Sequence, residues 1–428
     1  MSLVRNGLWS LAGSLVPAVL AIPSAGLIAR ALGAERFALF LLMLAVLAMS
    51  GLLGGGVAQA VTRQAAQRGD RPQDLGALLG TGLLLVLLGS LPVLAWAVWQ
   101  QDAVVQLLHP SAPLRPEVAA ALPLLAVLVL LQLMAVVCHG LLEGLQRFRR
   151  LATVKLANGM LAAVLPAAWV LLDAQASLGQ VLAALALARL AGLLLLLGPG
   201  LARLPVSARR LRWHGGLARS QFAFGGWVAL SNLISPLVQY ADRFLLSSLL
   251  GAQLAAGYLA AAELVGRAAP VPAVLSTALF SRLCANPHDP AARRLAAQLM
   301  LGACGAICLV LALWGDWVLA LWLGRAHQAG SIDLLRILLL GFLLNALAHL
   351  PFARLYAAGH ARATALLHAA EILPFLGLLL ALVLAWGSTG AAVAWSVRMA
   401  ADLLALLVLE RRLLGPRPAA AAPALAGL

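Results

Sequence analysis

The sequence predicts an all-α polytopic membrane protein, with about twelve transmembrane helices in two six-helix lobes related by a pseudo-twofold axis along the membrane normal. Three observations lead there. Of 428 residues, 63% are hydrophobic and 11% charged, and the mean hydropathy is +0.97. A water-soluble fold of this length could not hide so much apolar surface, so the bilayer must act as the solvent. Apolar runs of about 20 residues or more recur between charged or Pro/Gly-rich breaks, the length a helix needs to cross the hydrocarbon. The two halves of the chain also match each other at a nearly constant offset.

Taken in order, the runs fall at 8–30, 37–62, 75–99, 118–142, 151–172, 178–198, 221–249, 254–281, 295–323, 334–353, 363–386 and 390–410. The first follows a lone Arg5 and contains Pro17 and Pro23. It is too long for a signal peptide and many further spans follow it, so it reads as an uncleaved first helix. "GLLGGG" in the second run and Pro236 in the seventh allow bends; "GLLGGG" equally allows close packing through small residues. Connections such as "LLGAQ" and "WGSTG" are very short. The expected organisation is a first lobe over 1–200, a cytoplasmic basic linker over 201–219, a second lobe over 220–414 and a disordered tail over 415–428. The tail's small residues and prolines can bury little.

Charge orients these spans. The net charge of +15 would suit nucleic acid, but the chain has a single lysine, Lys155, and its arginines cluster between apolar runs. With the N-terminus inside, inner loops outnumber outer ones in Lys/Arg by about five to one, so the positive-inside rule accounts for the charge and both termini are expected in the cytoplasm. No nucleic-acid partner is expected.

The repeat carries the two-lobe reading. Gly7 and Pro17 match Gly226 and Pro236, and "LGAERFALF" matches "LGAQLAAGY". "TRQAAQRGD" matches "SRLCANPHD", and "EGLQRFRRLA" matches "AGHARATAL", pairing Gly144 with Gly359 and Arg147 with Arg362. Six spans per half give both halves the same orientation, and two lobes flanking a cleft suit alternating access.

Chemistry motifs are missing. There is no GxxxxGK[ST], HExxH or GxSxG, which disfavours an ATP-driven pump or an enzyme, and no cofactor is expected. Cys138, Cys284, Cys304 and Cys308 form no CxxC pair and read as packing residues, not metal ligands. What remains are ionisable residues inside the spans, which are costly there and point to a functional site. Asp242 and Arg243 adjoin in the seventh run, about 10 Å below the outer surface at 1.5 Å per residue. Neighbours point about 100° apart on a helix, so they cannot pair with each other. Glu263 returns to a similar depth and Arg267 lies one turn deeper. An Arg243–Glu263 bridge would leave Asp242 and Arg267 available. Arg398 and Asp402, at i,i+4, could neutralise each other. In the first half, Lys155 and Arg189 have no obvious acid inside the membrane, which suits an anionic phosphate or pyrophosphate headgroup; snorkelling is the alternative for Lys155. Glu371 and His368 could carry protons or form a buried pair.

The segments "IARALGAERFALFLL" and "ADRFLLSSLLGAQLAAGYLAAAELVGR" resemble the oligosaccharide flippase (Wzx-type) family of the multidrug/oligosaccharidyl-lipid/polysaccharide exporter superfamily. The resemblance implies movement of an undecaprenyl-pyrophosphate-linked oligosaccharide from the cytoplasmic to the periplasmic leaflet of the bacterial inner membrane, for surface polysaccharides such as O-antigen. It also implies a cleft lined by the first, second, seventh and eighth helices. Arg30, Asp242, Arg243, Glu263 and Arg267 then become substrate-binding candidates, beside Arg189, Lys155 and Arg398. Asp242 and Glu371 are the ion-coupling candidates. The expected partners are the lipid-linked oligosaccharide and membrane lipids, with the polysaccharide polymerase and chain-length machinery as candidates, and the expected state is a monomer. Twelve helices argue against the lipid II branch, which usually has fourteen. The competing reading is a cation-coupled multidrug exporter of the same superfamily, which would favour unpaired acids in the first lobe.

Overall fold

The computed structural model describes Pro17 and residues 20–68, 72–145, 147–173, 175–200, 211–285, 290–324, 330–358 and 360–414. Its helices are α1 (Leu20–Leu32), α2 (Ala34–Arg68), α3 (Pro72–Trp99), α4 (Gln101–Leu108), α5 (Arg115–Gly144), α6 (Phe148–Leu172), α7 (Leu178–Leu195), α8 (Gly215–Leu250), α9 (Ala252–Ala268), α10 (Pro270–Ala285), α11 (Pro290–Leu323), α12 (Ser331–Ala357), α13 (Ala361–Ala370) and α14 (Ile372–Leu414). Among the described residues there is no strand, and nine helical stretches are long and apolar enough to cross a membrane.

The last stretch, Ala363–Leu414, makes two passes. Gly387 takes φ 58° and ψ −132°, a left-handed turn that glycine adopts without a Cβ penalty. Beyond it the chain doubles back: the Arg398 guanidinium lies 4.8 Å from the Phe375 ring centre, whereas the rise from residue 375 to 398 along a straight helix would separate them by about 34 Å. With this hairpin the described residues hold ten such passes; α8 falls on the seventh run read from the sequence, and α1, described over Leu20–Leu32, on the first. Gln101–Leu108 and the Ala112–Leu114 turn lie between the third and fourth passes.

The repeat is visible in the backbone. Gly33 and Gly251 each form a one-residue break with φ of 78° and 84°. Gly33 N–H donates to the Ala29 carbonyl and Gly251 N–H to that of Ser247, both at 2.9 Å. Further along, Leu145 donates to Leu141 and Ala358 to Arg354, both at 3.0 Å, while Arg147 donates to Leu142 and His360 to Leu355, both at 2.9 Å. This pattern aligns Arg147 with His360, two residues from the sequence pairing with Arg362; main-chain hydrogen bonds set the register, and the arginine side chain that the sequence pairing relied on takes no part in them.

Small residues let the passes approach. Gly140 and Gly144 sit against the backbone of Ala58 and Thr62, and Thr62 Oγ1 donates to the carbonyls of Ala58 and Gly140, each at 2.9 Å. Such side-chain bonds between helices replace the missing hydrophobic drive in lipid. Helix α2 stays helical through Gly51–Gly56, with Gly51 against Gln132 and Gly54 against Leu133; of the two readings of "GLLGGG", close packing is the one seen.

One contiguous apolar cluster runs through both halves. Outside it, seven tryptophans are exposed: Trp213 lies beside Arg212 at an arginine-rich end, and Trp96, Trp99, Trp169, Trp314, Trp317 and Trp386 lie toward the opposite helix ends. Indoles at that level form the aromatic belt of a membrane protein. We call the two ends the basic face and the belt face. Helix α8 starts at Gly215, capped by His214 Nδ1, which accepts from Leu217 N–H at 3.3 Å. It therefore begins within the stretch read as linker. Residues 201–210 and 415–428 lie outside the described residues.

Candidate functional site

Helices α8 and α9 are joined only by Gly251, so they run antiparallel and bring Tyr240–Arg243 beside Tyr258–Arg267. Both helices pack on α2 of the first lobe. Arg243 Nη1 lies 3.5 Å from Glu263 Oε2, and Arg267 Nη2 lies 2.5 Å from Glu263 Oε1. Two guanidinium groups thus share one carboxylate, with the Asp242 carboxylate as the further acid within electrostatic range of Arg243. All three side chains are 14–22% exposed. The Arg243 guanidinium also rests 5.1 Å from the Tyr240 ring centre, a cation–π contact.

Asp242 is 4% exposed. Tyr258, fully buried, donates its hydroxyl to Asp242 Oδ2, and Arg243 N–H donates to Oδ1 at 2.8 Å. The expectation that Asp242 and Arg267 stay available is corrected. Arg267 sits one helical turn from Glu263 and takes its second oxygen, and Tyr258, invisible to charge-based reading, holds Asp242.

Asp242 lies within electrostatic range of Arg398, which links this cluster to the hairpin. There the expected Arg398–Asp402 pair does not form. Arg398 stacks on Phe375, and Asp402 Oδ1 meets His368 Nε2 at 3.2 Å instead. The hairpin delivers His368 and Phe375 from the opposing leg, a proximity that i,i+4 spacing cannot anticipate. Both oxygens of Glu371 are buried without a hydrogen-bond donor.

The first lobe is organised differently. Lys155 Nζ lies 3.2 Å from Glu143 Oε1, with both side chains over a third exposed. The expectation that Lys155 has no acid is therefore corrected: Glu143, at the end of α5, folds back to it across the turn. Arg189 has a buried Nε with no partner and interacts electrostatically with His139 near Lys155. Arg30 stands apart from all of these. It is exposed at the belt-face end of α1, beside Gly324. It lines a 390 Å³ groove between α1 and α11 with Ile22, Gly26 and Trp322.

Contacts between halves occur at both ends. At the basic face, Gln221 donates to Gln64 Oε1 and to the Leu78 carbonyl, each at 3.2 Å. At the belt face, Ser247 donates to the Leu108 carbonyl at 2.9 Å, and Trp322 Nε1 donates to the Ile22 carbonyl at 2.5 Å.

Two repeated halves of membrane-length helices, with a charged cluster between α8 and α9, which pack on α2, have a secondary-transporter architecture. Most of the chain overlays solved transporters of that kind. An inward-facing multidrug resistance MATE family transporter of the MOP superfamily matches with TM-score 0.71 and 16% identity over 94% of this chain and 97% of its own. The lipid II flippase MurJ, inward closed, matches with TM-score 0.71 and 11% identity over 94% and 87%. The profile of the family described as "Polysaccharide biosynthesis protein" matches residues 3–282. A Shigella flexneri protein described as "Putative O-antigen transporter" is 31% identical over 416 residues, 96% of this chain and 99% of its own. The chain belongs to the polysaccharide biosynthesis protein family.

Proposed function

We propose that this protein is a flippase that moves an undecaprenyl-pyrophosphate-linked oligosaccharide across the bacterial inner membrane by alternating access, for O-antigen or another surface polysaccharide. The observation that carries the reading is the Arg243–Glu263–Arg267 triad, in a chain that aligns end to end with the Shigella protein. Ionisable groups held at membrane depth are costly and point to function, and two planar guanidinium forks match the oxygens of a pyrophosphate. The glycan, which is polar, needs the water-filled path that separating lobes provide.

The basic face is cytoplasmic in this reading, with both termini there, the first lobe ending near residue 200 and the second starting with α8. The chain performs transport without covalent chemistry. Arg30, at the belt-face seam, meets substrate late in the passage. Arg189 supports the first-lobe wall, whereas Lys155 serves its pair with Glu143. Ion coupling is assigned to Glu371 and not to Asp242, because both Asp242 oxygens already hold donors and both Glu371 oxygens lack one. A drug exporter that binds cations through first-lobe acids is disfavoured. Glu35 there accepts from Ser111, Glu117 pairs with Arg36 and Glu143 pairs with Lys155.

Deleting the gene and identifying the lipid that accumulates tests the substrate. A lipid-linked oligosaccharide on the cytoplasmic leaflet is expected; unchanged lipids with loss of drug resistance would reverse the assignment. Reporter fusions after Arg68, Arg210 and Arg412 should read cytoplasmic and one after Arg115 periplasmic. A periplasmic signal at Arg210 would break the six-plus-six arrangement.

A further inference from the structure

Within the second lobe, at its basic face and away from the triad, a 540 Å³ cavity opens between α10, α11, α12 and α14. Its walls are leucines from three of these helices, with Pro351. Its mouth carries Arg293 and Arg294 from the first turn of α11, Arg354 from α12 and Glu410 from α14. Arg354 and Glu410 form an ion pair. Arg293 and Arg294 are exposed and have no carboxylate partner among the described residues. Three arginines against one glutamate leave the mouth doubly positive above an apolar shaft.

From this geometry we infer a second binding site, for a phosphate-headed lipid. Its headgroup sits between Arg293 and Arg294, and one hydrocarbon chain enters the cavity. The volume falls in the range of small-ligand sites, about 300–1,000 Å³. Adjacent helical residues point about 100° apart, so the two arginines flank a headgroup from two sides, each able to offer a planar fork to phosphate oxygens. The glutamate is already neutralised by Arg354, so it does not repel the anion. Pro351 has no N–H to give the Leu347 carbonyl, which leaves an acceptor at the cavity wall for a headgroup hydroxyl. A free anion would use the arginines but leave the apolar shaft without a role. A neutral lipid would fill the shaft and leave the charge unmatched. Basic pockets between transmembrane helices at the headgroup level are suited to anionic lipids on these grounds.

This site does not depend on the flippase reading, because its test reads lipid binding and not export. The full-length protein in detergent is titrated with phosphatidylglycerol, phosphatidylcholine, undecaprenyl phosphate or inorganic phosphate, and scored by native mass spectrometry and unfolding midpoint. Phosphatidylglycerol should bind and raise the midpoint, phosphatidylcholine should bind at least tenfold more weakly, and inorganic phosphate should give no comparable shift. The exposed pair change R293Q/R294Q should weaken phosphatidylglycerol at least tenfold while leaving the lipid-free midpoint unchanged. Ala297→Phe, on the cavity wall, should exclude the chain with the charges intact. Stronger binding of undecaprenyl phosphate would assign the site to the transported class of lipid, and stronger phosphatidylglycerol to a bulk membrane lipid; either supports the inference. Equal binding of phosphatidylcholine, full binding by R293Q/R294Q, or a shift reproduced by inorganic phosphate alone would overturn it.

Discussion

In the first lobe, two ion pairs among the described residues are tied to helix ends: Arg36 at the start of α2 holds Glu117, and Glu143 at the end of α5 holds Lys155, all partly exposed. Glu117 also accepts from Leu178 N–H at 2.7 Å, fixing the start of α7 beside the Ser177–Gln180 capping box. In the second lobe, charge runs through the interior, from the triad past Asp242 and Arg398 to Glu371, Asp402 and His368. The turns are repeated, yet the charge placement is not. A shared backbone plan leaves each lobe free to specialise, because the turns depend on glycine and on main-chain hydrogen bonds, which make no demand on interior side chains. On the reading proposed above, the first lobe serves as a wall and the second as the working half.

The largest effect should come from the triad. Arg267→Ala removes a charge-assisted bond of about 2–3 kcal/mol, on the order of 100-fold in export, with the protein still inserted. Arg267→Lys should recover only part, since lysine keeps the charge without the planar fork. Full export by the alanine variant would reduce Arg267 to a packing residue and erase the contrast between lobes.

Membrane abundance should separate the triad's members next. Glu263→Gln strands two arginines, whereas Arg243→Gln leaves Glu263 with Arg267, so the glutamate change should lower abundance more. A double-mutant cycle on Arg243 and Glu263 should show coupling of about 1–3 kcal/mol. Strictly additive losses would mean that the 3.5 Å contact carries no energy.

Glu371→Gln should keep abundance near normal and make glycan export insensitive to the proton gradient, measured in vesicles with and without an uncoupler. Asp242→Asn should keep that sensitivity and lose abundance, because it weakens the acceptor of Tyr258. The reverse outcome would move the coupling role to Asp242.

First-lobe changes should be milder. Lys155→Gln breaks a half-exposed pair of about 0–1 kcal/mol, and export should fall less than threefold. A loss as large as that of Arg267→Ala would make the first lobe a substrate-binding half as well. Smallest of all, Gly33→Ala and Gly251→Ala should each cost about 1 kcal/mol, through a Cβ at positive φ. Unequal losses in thermal stability would weaken the claim that the two turns are equivalent.

By itself the sequence determined the solvent, the number of passes, the repeat and the list of buried charges. Hydrophobic run length, turn glycines and the expense of an ion in hydrocarbon are properties of local composition and need no neighbour. The Arg243–Glu263 contact was legible for the same reason, because a one-residue turn at Gly251 leaves little choice of geometry. Only the tertiary structure decided the remaining partnerships. Tyr258 on Asp242 carries no formal charge to flag it, and Glu143 with Lys155 requires the path of the turn between α5 and α6. His368 with Asp402, and Arg398 on Phe375, exist because Gly387 reverses the chain and places opposite legs side by side. The Arg293–Arg294 mouth over its apolar shaft likewise depends on four helices meeting at one end of the bundle. Charge partners inside a membrane are chosen by which helices pack together, and that choice is spread over every contact in the lobe.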